Sequence, residues 1–263
     1  MNDISVQNIV KAFEEDKNIL DGLSFEVRAG ERVGLLGKNG AGKTTLFNAI
    51  TGVVNKSEGS ILFDGKDLAQ YKPNQIAHLG ISRTFQNIRL FSKMTAEENV
   101  AIGINSVADY NLLSACLRLP NARKKDKETK IKAQEYLSRV NLLDYKDAVA
   151  GALPYGIQRK LEIARAIATR PKLLLLDEPA AGMNNEETQE LIQFIRDIHQ
   201  NNETNMAIIL IEHHLEVVMN LCSDITVLNL GSVLKKGTPD EVQNDPAVIK
   251  AYIGERRDRH GRE

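Results

Sequence analysis

The stretch "GKNGAGKTT" occupies residues 37–45, between the strand-like run "ERVGLL" and the helical run "TLFNAIT". It satisfies the eight-residue P-loop pattern in the strand–turn–helix setting that this motif requires. Backbone N–H groups converge on an anion where a glycine-rich turn meets the positive N-terminal end of a helix. The stretch therefore predicts a phosphate site, and a glycine-rich turn that only caps a helix is the alternative.

Each residue type in this loop suits a phosphate. Gly37, Gly40 and Gly42 let the backbone come close to the ligand, Lys43 is expected to reach the β- and γ-phosphates, and the Thr44 hydroxyl is expected to coordinate Mg²⁺. The predicted nucleotide-binding residues of the loop are Gly37, Lys38, Asn39, Gly40, Ala41, Gly42, Lys43, Thr44 and Thr45.

Composition narrows the class of protein. The 263 residues suffice for one substantial core, alone or with a smaller lobe. With 34 basic and 35 acidic residues, the net charge of −1 gives no sequence-wide reason to bind nucleic acid or an anionic membrane. Cys116 and Cys222 lack metal-ligand spacing, which favours a reduced cytosolic protein. We expect neither a signal peptide nor a membrane-spanning helix, since no apolar run reaches about 18 residues.

Several apolar runs bounded by glycine, proline or charge predict the strands of a mixed, mostly parallel sheet. Their apolar residues are successive rather than alternate, as in strands that are covered on both faces. The runs are "SFEV", "RVGLLG", "SILF", "KLLLLD", "MAIILIE" and "DITVLNL". The predicted fold class is therefore α/β, of the P-loop NTPase type.

Residues 88–152 differ from the rest of the chain. They have helix-type spacing and many good helix formers, and no run in them is a credible strand. We predict an α-helical lobe at 88–152, inserted into an α/β core made of residues 1–87 and 153–263. The charged tail, about 254–263, is expected to be frayed.

An apolar strand that ends in two carboxylates, "KLLLLDEP", lies at 172–179. Adjacent strand residues point to opposite sides, so Asp177 and Glu178 are expected to have different roles. We assign Asp177 to Mg²⁺, directly or through water, and Glu178 to polarising the water that attacks the γ-phosphate. A merely polar strand end is the alternative, and the presence of a P-loop in the same chain favours the catalytic interpretation over it.

Glu212, His213 and His214 follow the apolar run "MAIILI". Ligands of open α/β sheets bind outside the carboxyl ends of the strands. We therefore predict that His213 hydrogen-bonds the γ-phosphate or the attacking water. A structural hydrogen bond is the alternative for His213, and it is the interpretation adopted for His214.

Together with "SRTFQN" and "LPYGIQ", these motifs resemble, in order and over nearly the whole chain, the nucleotide-binding subunit of an ATP-binding-cassette (ABC) transporter. The resemblance implies an ABC cassette fold, ATP and Mg²⁺ as cofactors, and ATP hydrolysis. It places Phe13 where the family has an aromatic that stacks on adenine. It places Gln86 where the family has the Q-loop glutamine, which touches Mg²⁺ and water. Without it, Phe13 would be a core aromatic and Gln86 a loop amide.

The segment "LPYGIQ", residues 153–158, matches the signature motif of the family. In the family this motif closes over ATP held by the P-loop of a second subunit, so the resemblance assigns Tyr155, Gly156 and Gln158 to a partner's nucleotide. A helix N-terminus at which Gly156 exposes backbone amides suits an anion. Pro154 suits the first helical turn because its missing N–H is no loss there. A merely capped helix is the alternative.

Two motifs depart from the usual residues of the family. Pro154, Tyr155 and Ile157 stand where serine, glycine and glutamine or glutamate are usual, so a hydroxyl that would contact the γ-phosphate is missing. Asn184 stands where the family commonly has aspartate. Asn184 and Glu187 also have the spacing of a helix N-cap pair, and both interpretations can hold.

Within the family, "SRTFQNIRLFSKMTAEENV" and the ending "VIKAYIGE" look most like the ATP-binding subunit of branched-chain amino-acid importers. Urea and amide importers use similar subunits, and the lipopolysaccharide exporter's ATPase is a more distant neighbour. The resemblance implies a second ATPase subunit in a homodimer or heterodimer, two membrane permease subunits and, indirectly, a solute-binding protein. It also implies a peripheral position on the cytoplasmic face of the membrane.

Two other classes of protein fit less well. A small-molecule kinase or GTPase would lack "LPYGIQ" and the helical lobe, and no GTP-specific N-K-x-D sequence occurs. A cassette protein acting on DNA or ribosomes would be expected to have tandem cassettes, a coiled coil or a basic groove.

Overall fold

The computed structural model describes residues 3–14, 17–106, 120–213 and 215–251. Its strands are β1 (Ile4–Glu14), β2 (Lys17–Val27), β3 (Arg32–Gly37), β4 (Glu58–Phe63), β5 (Lys66–Asp67), β6 (Ile81–Arg83), β7 (Leu173–Asp177), β8 (Ala207–Ile211), β9 (Asp224–Asn229) and β10 (Ser232–Gly237). In the described ranges these strands form two sheets. The smaller sheet is antiparallel, with the strand order β2-β1-β4-β5.

The larger sheet has the order β10-β9-β3-β8-β7-β6. Neighbouring strands are parallel except β9 and β10, which confirms the predicted mixed, mostly parallel sheet. Leu35 of β3 and Asp177 of β7 both pair with Ile211 of β8, so the carboxyl ends of the three strands meet at one edge. The loops that leave this edge carry the predicted P-loop residues together with Gln86, Glu178 and His213.

Within the described ranges the structure has the helices α1 (Lys43–Ile50), α2 (Pro73–His78), α3 (Ala96–Ser106), α4 (Pro120–Arg139), α5 (Tyr155–Ile167), α6 (Asn185–Gln200), α7 (Leu215–Leu221) and α8 (Pro239–Gln243). Residues 246–251, at the end of the last described range, are also helical. The side chain of Asn184 accepts the Glu187 N–H while Glu187 accepts the Asn184 N–H, so the predicted cap of α6 is confirmed. In the ranges described, no helix combines the length and apolar character needed to cross a bilayer.

The described parts of the segment between β6 and β7 are mainly helical. Within 88–106 and 120–152 the regular elements are α3, α4 and short 3₁₀ turns at Leu143–Tyr145 and Ala150–Ala152, with one isolated β-bridge between Thr95 and Val149. These helices share one hydrophobic cluster with α5 and β7. The tail at 254–263 and Cys116 lie outside the described residues, whereas Cys222 is a buried free thiol.

The larger sheet separates two hydrophobic clusters. All five residues of β7 and of β8 are buried, which explains their unbroken apolar sequence. Leu174 and Leu176 of β7 face one cluster, together with α5. Leu173 and Leu175 face the other, together with α1 and the smaller sheet. The two clusters therefore support different helices from the two faces of the same strands.

Candidate functional site

The P-loop turn connects β3 to α1, and its shape depends on glycine. Gly42, the N-cap of α1, has φ 97°, a left-handed value that other residues rarely adopt. A Cβ there would lie 2.6 Å from Leu20 Cδ2 and 2.7 Å from the Ile19 carbonyl oxygen. Among the described residues no side chain caps α1, and its first turn contains no acidic residue. The N–H groups at the start of α1 are therefore available to an anion.

Lys43 folds back over this turn. Its Nζ donates to the Gly37 carbonyl and, at 3.2 Å, to the Lys38 carbonyl. Burial lowers the pKa of Lys43, and the nearby charges of Glu178 and Asp177 oppose that shift. An anion bound in the loop would favour the charged form of this lysine, so the site gains electrostatically from a phosphate.

The two carboxylates diverge because the chain turns, which corrects the prediction that strand alternation separates them. β7 ends at Asp177, and Glu178 leaves the strand in a left-handed conformation with φ 46°. Such a conformation costs free energy in a non-glycine residue, and such residues cluster at functional sites. The Glu178 N–H donates to the Ile211 carbonyl at 2.9 Å, which fixes the turn. The result directs only Glu178 into the cleft.

Asp177 forms a buried ion pair with Arg83. Arg83 donates to Asp177 Oδ2 at 2.8 Å, and each side chain is 6% exposed. Arg83 also donates to Asn48 Oδ1 at 2.7 Å, and its guanidinium lies 5.0 Å from the centre of the Phe85 ring. Asp177, the carboxylate assigned to Mg²⁺, is thus held by Arg83 and does not line the cleft.

Gln86, Glu178 and His213 come together from the loops that follow β6, β7 and β8. His213 Nε2 lies 2.5 Å from Glu178 Oε1, and Gln86 Nε2 donates to Glu178 Oε2 at 2.9 Å. Beneath them, the buried Glu212 accepts the Ala180 N–H at 2.8 Å and the His213 N–H at 3.1 Å. The carboxylate of Glu178 is therefore oriented from both sides. His214 lies outside the described residues.

A cleft of about 660 Å³ brings most of the predicted residues into one place. Its lining combines loop amides, a lysine, hydroxyls, a carboxylate and a histidine, which suits a polyphosphate and an activated water. The lining residues are Ile19, Asn39, Gly40, Ala41, Gly42, Lys43, Thr44, Thr45, Gln86, Glu178 and His213. Gly37 and Lys38 of the loop, and Asp177, do not line the cleft. The side chain of Phe13, in β1, is outside the described part of the chain.

The segment "LPYGIQ" lies apart from this cleft, at the start of α5. Pro154 is the N-cap, one position before the first turn in which we expected it, and no side-chain cap is present among the described residues. A Cβ on Gly156 would meet only Glu187 Oε1, at 3.6 Å. Tyr155 is 43% exposed, and its hydroxyl donates to the Ala181 carbonyl at 2.9 Å. Gln158 Nε2 donates to the Leu153 carbonyl at 2.7 Å.

Sequence reasoning missed the buried charges that hold these loops. Arg83, Arg159 and Glu162 are part of hydrogen-bonded ion pairs, and Glu212 joins two loops, yet none of them was assigned a role. Arg159 and Glu162 have i,i+3 spacing, which could have indicated a pair. Charges at helical spacing usually mark a solvated face, however, and the single sequence contains no signal that these two are buried.

Comparison with known proteins agrees with this geometry. The family model described as "ABC transporter" matches residues 20–181, and one described as "Branched-chain amino acid ATP-binding cassette transporter" matches residues 236–258. The chain is 41% identical to the high-affinity branched-chain amino acid transport ATP-binding protein BraF of Pseudomonas aeruginosa, over 90% of this chain and 92% of that protein. It is 42% identical, with the same coverage, to the corresponding protein LivG of Escherichia coli.

Solved structures show the same fold. A nucleotide-free ATP-binding cassette from an ABC transporter matches with a TM-score of 0.82 and 32% identity, covering 97% of this chain and 100% of the other. The ADP conformation of an ABC-transporter cassette matches with a TM-score of 0.82 and 31% identity, covering 97% and 99%. These matches confirm the predicted fold class and the resemblance. The chain belongs to the ABC transporter family and is an ATP-hydrolysing, nucleotide-binding cassette.

Proposed function

We propose that this chain is the ATP-hydrolysing subunit of an importer for branched-chain amino acids. The observation that carries the proposal is the carboxylate of Glu178, held by Gln86 and His213 in the cleft that the P-loop lines. The solute is supported by the names of relatives at 41% and 42% identity. A lipopolysaccharide export ATP-binding protein of Haemophilus influenzae is less similar, at 31% identity.

The triphosphate binds at the loop of residues 37–45 in this proposal. The uncapped N–H groups at the start of α1 and the buried Lys43 support it, because together they offer hydrogen-bond donors and positive charge. We assign Phe13 to the adenine on the resemblance alone.

Glu178 is the general base that activates the attacking water. Each oxygen of its carboxylate receives one hydrogen-bonding neighbour, which leaves lone pairs to accept a water proton. We assign His213 and Gln86 to orienting Glu178 and to contacting the γ-phosphate or the water. The left-handed backbone at Glu178 points the base into the cleft before any ligand arrives.

Thr44 and Gln86 would hold Mg²⁺, with Asp177 behind them. Oxygen donors in the cleft fit this hard cation, which supplies charge neutralisation for the phosphates when it is bound. The Arg83 ion pair supports an indirect role for Asp177, because a buried carboxylate whose charge is already paired is poorly placed to be the main ligand.

Tyr155, Gly156 and Gln158 serve the nucleotide of a second subunit. Glycine in a helix costs about 0.5–1 kcal/mol relative to alanine, yet nothing described in this chain crowds Gly156 or requires a positive φ there. An approaching phosphate supplies the missing reason for glycine. Because Pro154 lacks a hydroxyl, we propose a heterodimer in which the partner ATPase has the fuller signature.

Transport follows from closure of the two cassettes around ATP. Closure moves two attached membrane permease subunits at the cytoplasmic face of the membrane. Loss of the γ-phosphate removes the contacts that stabilise the closed state, and the cassettes separate. Selection of the solute belongs to the permeases and to a solute-binding protein. Residues 88–152 are, in this proposal, the α-helical lobe inserted into the α/β core.

Purification of the tagged chain from native membranes tests the proposal. We expect co-purification of a second cassette and two membrane subunits, and ATP hydrolysis that a binding protein loaded with leucine, isoleucine or valine stimulates. If a binding protein loaded with urea or an amide stimulated ATP hydrolysis instead, the transported solute would be urea or an amide. Co-purification with nucleic acid and without membrane subunits would overturn the transporter assignment.

A further inference from the structure

Arg159 is a fully buried arginine that joins the start of α5 to the loop after β6. It is 0% exposed. It donates to the Phe85 carbonyl at 2.8 Å and to the Gln86 carbonyl at 2.7 Å. It also pairs with Glu162 at 2.8 Å, within the same helix. The guanidinium of Arg159 therefore fixes the backbone of Gln86, and the side chain of Gln86 in turn holds Glu178.

Glu162, the ion-pair partner of Arg159, also binds the segment that follows β6. It is 1% exposed, and its Oε1 accepts the Arg89 N–H at 2.9 Å. A buried ion pair is seldom more stabilising than well-packed apolar side chains, because both charges must be desolvated. The pair is better explained by the fixed position it gives to the segment 85–89 relative to α5.

Tyr155 connects the same arginine to the loop that follows the catalytic glutamate. Its hydroxyl accepts from Arg159 at 3.3 Å and donates to the Ala181 carbonyl at 2.9 Å. The Ala181 N–H donates to the Glu178 carbonyl at 3.2 Å. With the Gln86–Glu178 bond, these contacts form a closed ring of hydrogen bonds through Gln86, Glu178, Ala181, Tyr155 and Arg159.

We infer that Tyr155 and Arg159 are positioning residues that keep Gln86 and Glu178 in a fixed geometry relative to the N-terminus of α5. This inference rests on the proposed function, in which α5 serves a neighbour's nucleotide. The phenol takes a position where the family usually has glycine, and glycine cannot make either bond. Occupation of the chain's own cleft is thereby transmitted to the turn that carries Gly156.

Hydrogen–deuterium exchange on the full chain, at a concentration at which it is monomeric with the nucleotide bound, tests the inference with Tyr155→Phe, which removes only the hydroxyl. In the wild type, we expect a non-hydrolysable ATP analogue with Mg²⁺ to slow exchange both at residues 37–45 and in the first turn of α5. In the variant, we expect protection at 37–45 to persist and protection of α5 to be lost. Tyr71→Phe removes a hydroxyl from a residue at the cluster on the opposite face of the sheet, and is the matched control.

The outcomes separate the two proposals. Equal protection of α5 in wild type and Tyr155→Phe, or no protection of α5 in either, would overturn the inference. Absence of protection at 37–45 in the wild type would overturn the proposed nucleotide site instead.

A second measurement is the steady-state rate of ATP hydrolysis. We expect Tyr155→Phe to lower kcat about tenfold with KM unchanged, because misplaced catalytic groups slow chemistry without weakening ground-state binding. An unchanged kcat would contradict the positioning role. Arg159→Lys keeps the positive charge but loses the forked guanidinium. We expect it also to lower kcat and leave KM unchanged.

Discussion

His213 Nε2 lies 2.5 Å from Oε1 of Glu178, so the imidazole and the carboxylate form a pair inside the cleft. The pair accounts for two residues that sequence reasoning had placed on different loops without a contact between them. It also makes Glu178 the group whose alteration should have the sharpest effect on hydrolysis.

Glu178→Gln keeps the shape of the side chain and removes the base. We expect hydrolysis to fall by about 10²–10⁴-fold, the usual contribution of a positioned general base, with ATP affinity retained. Phosphate release and ATP titration measure the two quantities. Glu190→Gln, an exposed change in α6, is the control. Hydrolysis at the wild-type rate would show that the base is another residue.

Lys43→Ala removes the buried cation of the P-loop. We expect the Kd for ATP to rise at least about tenfold, because charge-assisted hydrogen bonds to the phosphates are lost. Isothermal titration measures the change, and the exposed Lys66→Ala serves as a control. Unchanged binding would contradict the phosphate role of Lys43.

Gly156→Ala adds a methyl group in open space, 3.6 Å from Glu187 Oε1. We expect unfolding stability to stay the same or to rise by up to about 1 kcal/mol, because alanine favours the helix. Hydrolysis by the assembled pair of cassettes should fall, since the methyl would occupy the surface offered to the neighbour's phosphate. A full rate in the assembled complex would remove Gly156 from the shared site.

Gly34→Ala is the same chemical change in the core. The new Cβ would lie 2.3 Å from Val218 Cγ1 and 3.2 Å from Cys222 Sγ. We expect a loss of about 1–3 kcal/mol in the free energy of unfolding, as for other overpacked cores. Urea denaturation measures it. Wild-type stability would mean that α7 can move away from β3 at little cost.

Cys222 should be inert in the folded chain. Burial raises the pKa of its thiol from 9.0 to about 12. At pH 8, only about 10⁻⁴ of such thiols are ionised, and the thiolate is the reactive form. In a Cys116→Ser background, iodoacetamide should label Cys222 only after denaturation, as mass spectrometry would show. Rapid labelling of the folded chain would mean that the thiol is reached by solvent.

The sign of the pH effect follows from the same shift. Because the folded pKa exceeds the unfolded one, the neutral thiol favours the fold below pH 9, and this contribution is lost as the pH rises towards 12.

The sequence was most informative where a local pattern has one physical solution. The unbroken apolar runs of β7 and β8 predicted buried parallel strands, and the glycines of the P-loop predicted the turn before α1. The capping pair Asn184 and Glu187 was also local, and it formed as expected.

Relationships between distant segments were not accessible in this way. The ion pair of Arg83 with Asp177 spans 94 residues, and the bond from Arg159 to the Gln86 carbonyl spans 73. No period or spacing in a single sequence encodes such contacts. The left-handed backbone of Glu178 was missed because a strand pattern predicts alternation up to its last residue and carries no information about the next one.

The alternation along β7 has a consequence for how this protein can change. Leu174 and Leu176 belong to the layer behind α5, and Leu173 and Leu175 to the layer behind α1. Truncating Leu174 or Leu176 should therefore loosen the packing of α5, the helix proposed to serve a second subunit. Truncating Leu173 or Leu175 should instead loosen the packing of α1, the helix that follows the P-loop. The side chains behind α5 can therefore be repacked without altering those behind α1, because the two leucine pairs lie on opposite faces of one strand.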